Sequence, residues 1–259
     1  MKRLAWALGF ALLPAALSLP TSAVADEVQQ LPNLVALRPA FVQIGELDEP
    51  SESPPGTVAL RFTTTSANMG AYALEVHGSP VEEQNEAGEA IRAAEQCIWW
   101  VSRVCTQTTP VGHFVWHEAH AHWHLMRYAL YELRTLTAEG EPDMTPAGLV
   151  VPGQKVSFCL MDYETMDEQP PGYDPLKRYG IYQFCSEYVQ GISPGWADEY
   201  GYHLYGQQIP IDPSQVPDGS YALVVTINPH DDILETSKDD NRAFVRIALS
   251  ESATTVQTL

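Results

Sequence analysis

Apolar residues along much of this chain recur with a period of two, the spacing that sends alternate side chains to one face of an extended strand. Runs of this kind cover residues 57–65, 72–77, 116–136, 155–162, 182–189, 221–228 and 242–249, each rich in β-branched or aromatic residues and bounded by Gly, Pro, Asn or Asp. That pattern predicts an all-β, sandwich-like domain with long loops and at most one or two short helices. The acidic, alanine-rich stretch 82–96 is the predicted helix. Residues 162–179, with Pro170, Pro171, Gly172 and Pro175, read as a long loop of the type that borders a site.

The first 25 residues read differently. Lys2 and Arg3 precede a largely apolar run over residues 4–19, and Ala23-Val24-Ala25 has the small-x-small form of a signal-peptide cleavage site. Residues 26–259 then form one exported domain, secreted or periplasmic, with no further run long enough to span a bilayer. The formal charge of −19 falls further once two basic leader residues are removed, which disfavours nucleic acid and favours cationic partners such as amines. Charge alone also fits plain solubility. The four cysteines all lie in the exported part, so disulfides are expected, with three connectivities open. Cys97 and Cys105 bracket I-W-W-V-S-R-V and can staple a hairpin, leaving Cys159 and Cys185 to tie two strands.

The chemistry concentrates in Trp116 to His124, W-H-E-A-H-A-H-W-H, which holds four of the chain's eight histidines. On a continuous strand His120, His122 and His124 share one face, and His117 lies on the other as a packing or supporting residue. Three imidazoles in that array can hold Cu(II), Zn(II) or Fe(II) with coordination positions left open.

The pattern W-H-x-x-H-x-H-x-H resembles the copper signature of the lysyl oxidase family. The segments G-Q-K-V-S-F-C-L-M-D (153–162) and G-I-S-P-G-W-A-D-E-Y-G (191–201) resemble that family's later segments, in the same order. The resemblance implies a copper-dependent amine oxidase that converts primary amines or peptidyl lysine to aldehydes with O2, releasing hydrogen peroxide and ammonia. It also implies a lysyl tyrosylquinone made from the chain's own Lys155 and Tyr200. The proton-abstracting base is left open among Asp198, Glu199, His203 and His117. Where the family has a cysteine inside the histidine motif this chain has Ala119, which makes Cys159–Cys185 the implied bridge beside Cys97–Cys105. Residues 82–109 are implied to be an insertion relative to the animal enzymes.

The stretch 224–241 resembles the family's calcium hairpin, and implies Glu235, Ser237, Asp240 and Asn241 as oxygen ligands together with Asn33 and the carbonyl of Leu34. Ser237 and Asn33 stand where the family has aspartates. Two rivals remain at this level. One is a secreted metal-binding adhesion module of β-sandwich type without quinone catalysis, suggested by the opening Pro32-Asn33-Leu34-Val35 and the acidic hairpin. The other is a non-haem oxygenase that uses the histidines alone.

Overall fold

The computed structural model describes residues 29–153, 157–177, 179–251 and 253–259. The predicted leader, residues 1–25, and Lys155 lie outside the described residues. The chain is all-β, and every strand pairing among the described residues is antiparallel.

The organising strand is Val58–Asn68, V-A-L-R-F-T-T-T-S-A-N. Its β-branched and aromatic residues suit a pleated surface, and most of it is buried on both faces, with Leu60, Phe62 and Thr64 fully enclosed. It pairs with Leu34–Ala36, Ala40–Gly45, Trp196–Tyr200 and Gln208–Ile211 in a six-stranded sheet. A five-stranded sheet runs in the order Leu149–Pro152, Ala129–Arg134, Gly219–Ile227, Arg242–Ser250, Thr255–Thr258. The third sheet runs Val189–Ile192, Leu74–Gly78, Ala90–Val101, Val104–His117, His122–Leu125. One core joins all three: Phe62, Phe114, Trp123, Tyr131, Leu223 and Ile192 belong to the same buried cluster. Each such side chain contributes roughly 1.5–3 kcal/mol by leaving water.

The helix expected over 82–96 is absent. Asn85 accepts backbone hydrogen bonds from Ala87 and Glu89, Gly88 takes a positive φ of 80°, and the chain turns back on itself. Beyond the turn, Ala90–Val101 buries Arg92, Ala94 and Gln96 and exposes Ala93 and Glu95, the period of a strand. Pairing on both edges, to Leu74–Gly78 and Val104–His117, outweighs the helix propensity of alanine and glutamate.

The run 116–136 is also not one strand. Ala121 and Arg127 have positive φ of 55° and 64°, and the turns there cut it into the end of Val104–His117, then His122–Leu125, then Ala129–Arg134. Of 155–162 the described part forms only an isolated bridge, Phe158 to Leu125, and in 182–189 regular structure starts at Val189. Disulfides Cys97–Cys105 and Cys159–Cys185 close with Cα–Cα distances of 5.9 and 5.3 Å. Among the described residues no helix is long and apolar enough to cross a membrane.

Candidate metal centre

The hairpin between Val104–His117 and His122–Leu125 builds the histidine cluster. His117 pairs directly with His122 and Val115 with His124, and directly opposed residues of an antiparallel pair share a face. His117 therefore lies on the same side as His122 and His124, contrary to the expectation from an unbroken strand. The intervening turn, closed by His120 N–H donating to the His117 carbonyl at 3.1 Å, reverses the chain and carries His120 in beside them. His117, His120 and His124 present nitrogens within 4.8 Å of one another. His122 Nε2 lies 2.9 Å from His124 Nε2, and His120 Nδ1 lies 3.2 Å from the same atom.

His124 is the hub and is fully buried. Its Nδ1 is 3.2 Å from Ser157 Oγ, while Nε2 faces His120, His122 and, at 3.5 Å, the phenol oxygen of Tyr200. One imidazole nitrogen has a single lone pair or a single proton, so it cannot satisfy three polar neighbours. A cation shared among these nitrogens resolves that crowding, and neutral imidazoles are the donors a copper ion takes. The residues present fit the metal. His122 also approaches the sulfurs of Cys159 and Cys185, but their bonding to each other leaves no thiolate to act as a ligand.

Tyr200 enters from Trp196–Tyr200, paired with Thr64 of the central strand. It is 5% exposed; its hydroxyl accepts the Cys159 backbone N–H at 2.6 Å and its ring packs on Phe158 at 4.2 Å. Burial, with the Asp198 carboxylate adding to it, holds the phenol far above its ordinary pKa. Of the four possible bases, Asp198 is 1% exposed and, two residues before Tyr200, shares its face of the strand. Glu199 points to the opposite face, and His203 packs against Gly201 and Tyr202. Lys155 lies outside the described residues, but Ser157 two positions later touches His124.

A cleft of about 300 Å3 opens onto His117 and Ser157, lined also by Asp48, Glu49, Glu89 and Tyr205. Asp48 is paired with Arg61, and Glu49 accepts a hydrogen bond from Tyr205 at 2.6 Å. Glu118 adjoins the cleft and accepts from Trp116 Nε1 at 2.8 Å. Among the described residues no lysine or arginine lines it. Tyr205 sets its ring edge-on to His117 and His120 at 5.9 and 6.4 Å. Sequence reasoning missed Ser157, Phe158 and Tyr205. The serine and phenylalanine stand inside the K-V-S-F-C-L segment and were open to notice; Tyr205, in a turn-rich stretch, carries no local signal.

The second predicted cluster also assembles. Glu235 accepts from Leu34 N–H at 2.8 Å, Asn241 Nδ2 at 2.7 Å and Asn228 Nδ2 at 2.6 Å, and Asn33 Nδ2 donates to Asp240 Oδ2 at 2.7 Å. Burial raises the Glu235 carboxyl despite those donors. Asp240 Oδ1 and Asn241 Oδ1 are buried without a hydrogen-bond partner among the described residues, which is the arrangement a hard cation satisfies. Ser237 does not join them; its Oγ accepts the Asp239 N–H in a local turn.

The chain is similar to known proteins across this region. It is 35% identical over 127 residues to lysyl oxidase homolog 1 of Homo sapiens, which is 49% of this chain and 19% of that protein. It is 35% identical over 130 residues to human lysyl oxidase homolog 3, covering 14% of it, and 31% identical over 127 residues to protein-lysine 6-oxidase of Gallus gallus, covering 26%. The chain thus spans about a quarter or less of these relatives. The family model described as lysyl oxidase matches residues 67–258, from the central strand through the C-terminal hairpin, and on that extent the chain belongs to the lysyl oxidase family.

Proposed function

We propose that this protein is an exported copper- and quinone-dependent amine oxidase that oxidises primary amines or lysine side chains. The observation that supports it most is the convergence of His120, His122 and Tyr200 on one nitrogen of His124. His120, His122 and His124 would hold the copper, with His117 beside them, and Tyr200 with Lys155 would supply the quinone. When bound, copper would activate O2 at the phenol, and the lysyl tyrosylquinone would serve as electrophile and electron sink for a primary amine.

The rest of the work falls to the chain. Ser157 fixes the ring of His124 through Nδ1, which sets the orientation of the nitrogen facing the metal. Cys159 N–H and Phe158 hold the Tyr200 ring in one position. Asp198, buried on the Tyr200 face, is positioned to accept the α-proton of the substrate. The cleft, carrying Glu49, Glu89 and Glu118 and, among the described residues, no lysine or arginine, draws in an ammonium group. The two disulfides accord with an oxidising, extracytoplasmic location. A calcium ion at Asp240 and Asn241 would tie the C-terminal hairpin to Asn33 and Leu34; its loss on treatment with EGTA should lower the melting temperature of the wild type and not of Asp240→Ala.

The central test is peptide mass mapping of copper-loaded protein. A covalent link between the peptides holding Lys155 and Tyr200, together with peroxide release on a primary amine, is expected. Lys155→Ala and Tyr200→Phe should each abolish the link, quinone redox staining and peroxide. Copper binding without any link or quinone in the wild type rules the oxidase out.

A further inference from the structure

The hairpin formed by Ala90–Val101 and Val104–His117 carries a second cavity near its tip. Tyr72, Glu75, Trp100, Arg103, Lys177 and Tyr182 line it, and its volume of about 520 Å3 lies within the range of small-molecule sites. Among the described residues it shares no lining residue with the histidine cleft. Nine residues of strand separate Trp100 from Ile91, whose partner Val115 lines that cleft, which is about 30 Å along the hairpin.

Three features of the cavity are built rather than incidental. Tyr72, 43% exposed, and Trp100 present parallel rings with centroids 6.4 Å apart and planes 7° from parallel. Glu75 is held by three partners, its carboxylate accepting from the Tyr182 hydroxyl at 2.5 Å, lying 2.7 Å from His77 Nε2 and also hydrogen-bonded to Trp100. Burial pushes the Glu75 carboxyl up, but those hydrogen bonds outweigh it and keep its pKa below the ordinary value. Arg103 occupies the second position of the tip turn at φ 68°, after Ser102 at φ 50°, a backbone state that glycine or asparagine adopts at far lower cost. The Cys97–Cys105 disulfide spans the strands behind that turn and holds it in place. Strain of this kind persists where a side chain is needed at a fixed point, here at the rim of a cavity.

The charges select the ligand class. Among the described residues Glu75 and Asp174 face Arg103 and Lys177, so their charges balance, in a chain whose net charge is −19. Neither Arg103 nor Lys177 belongs to an ion pair among the described residues. A strongly cationic or anionic ligand would meet as much repulsion as attraction. A neutral molecule with apolar faces and a ring of hydroxyls would not: its C–H faces lie on the aromatic rings, and its hydroxyls donate to Glu75 and accept from the guanidinium and ammonium groups.

From this we propose that the hairpin-tip cavity is a sugar-binding site for a pyranose unit, with Tyr72 and Trp100 as the stacking platform and Glu75, Arg103 and Lys177 as the hydroxyl-binding groups. The site is independent of amine oxidation and stands whether or not the quinone forms.

The test is isothermal titration calorimetry of the full exported chain with cellobiose, chitobiose and maltose, and with putrescine and inorganic phosphate as charged probes. One binding event for at least one disaccharide is expected, with Tyr72→Ala and Trp100→Ala each weakening it about tenfold or more. Arg103→Ala, at an exposed turn, keeps the fold and should weaken binding too, which guards against misreading a folding defect. Retention on insoluble cellulose or chitin that the free disaccharide competes away assigns the sugar to a polymer; disaccharide binding without retention assigns it to a free sugar. The proposal is overturned if no disaccharide binds more tightly than about 10 mM, if binding survives both aromatic substitutions, or if only putrescine or phosphate occupies the site.

Discussion

Asp162 ties the start of the long loop after it to Ile181, Tyr182 and Ser193, and replacing it should be unusually costly. Its carboxylate is 5% exposed and accepts four hydrogen bonds: Oδ2 from Ile181 N at 2.6 Å, Tyr182 N at 3.1 Å and Ser193 Oγ at 2.8 Å, and Oδ1 from Ser193 N at 2.7 Å. In Asp162→Ala the Ile181 amide can turn to solvent, because that residue is half exposed. The Tyr182 amide and both Ser193 donors cannot. Three buried donors left unsatisfied at about 1–3 kcal/mol each give a loss of roughly 3–6 kcal/mol after partial relaxation. For a domain of this size that corresponds to a fall in Tm of about 2–4 °C per kcal/mol. Asp162→Asn can keep an oxygen where three donors converge and loses mainly the Ser193 N–H acceptor, so about 2 kcal/mol is expected. Urea unfolding followed by tryptophan fluorescence, with disulfides intact, measures both. An alanine variant within about 0.5 kcal/mol of wild type, or an asparagine variant worse than alanine, would show that these hydrogen bonds do not hold the loop.

Ser157→Ala should leave the fold intact and lower copper affinity about 10–100-fold, read by chelator competition, because His124 loses the group that orients it. Glu75 titrates below its unfolded value, so it stabilises the fold above the ordinary carboxylate pKa and that contribution disappears as pH falls through the folded one. Melting curves of wild type and Glu75→Gln should accordingly converge in acid and separate toward neutrality. Removing the Cys159–Cys185 bridge, which spans 26 residues, should cost about 3.5 kcal/mol, against about 2.5 kcal/mol for Cys97–Cys105, which spans 8, in denaturant titrations of the paired serine variants. Equal losses would show that chain entropy does not set the difference.

Much of this protein was readable from residue order alone, because the relevant physics is local. Alternation in 221–228 and 242–249 marked strands that the structure has as Gly219–Ile227 and Arg242–Ser250, since a half-buried strand writes its period directly into the chain. Four histidines in nine residues announced an imidazole cluster whatever the backbone did. Other features depended on partners distant in the chain. Residues 90–101 carry helix-forming alanine and glutamate, yet they are a strand because two neighbours supply its hydrogen bonds. The face of His117 was set by a turn at Ala121, where a residue other than glycine holds a positive φ that no local pattern announces. Tyr205 and Trp100 illustrate the same limit, since each acquires its role only from the rings and carboxylates that folding places beside it. A periodic sequence determines which side of a strand is buried; which strands meet, and what chemistry their meeting creates, is decided by long-range packing.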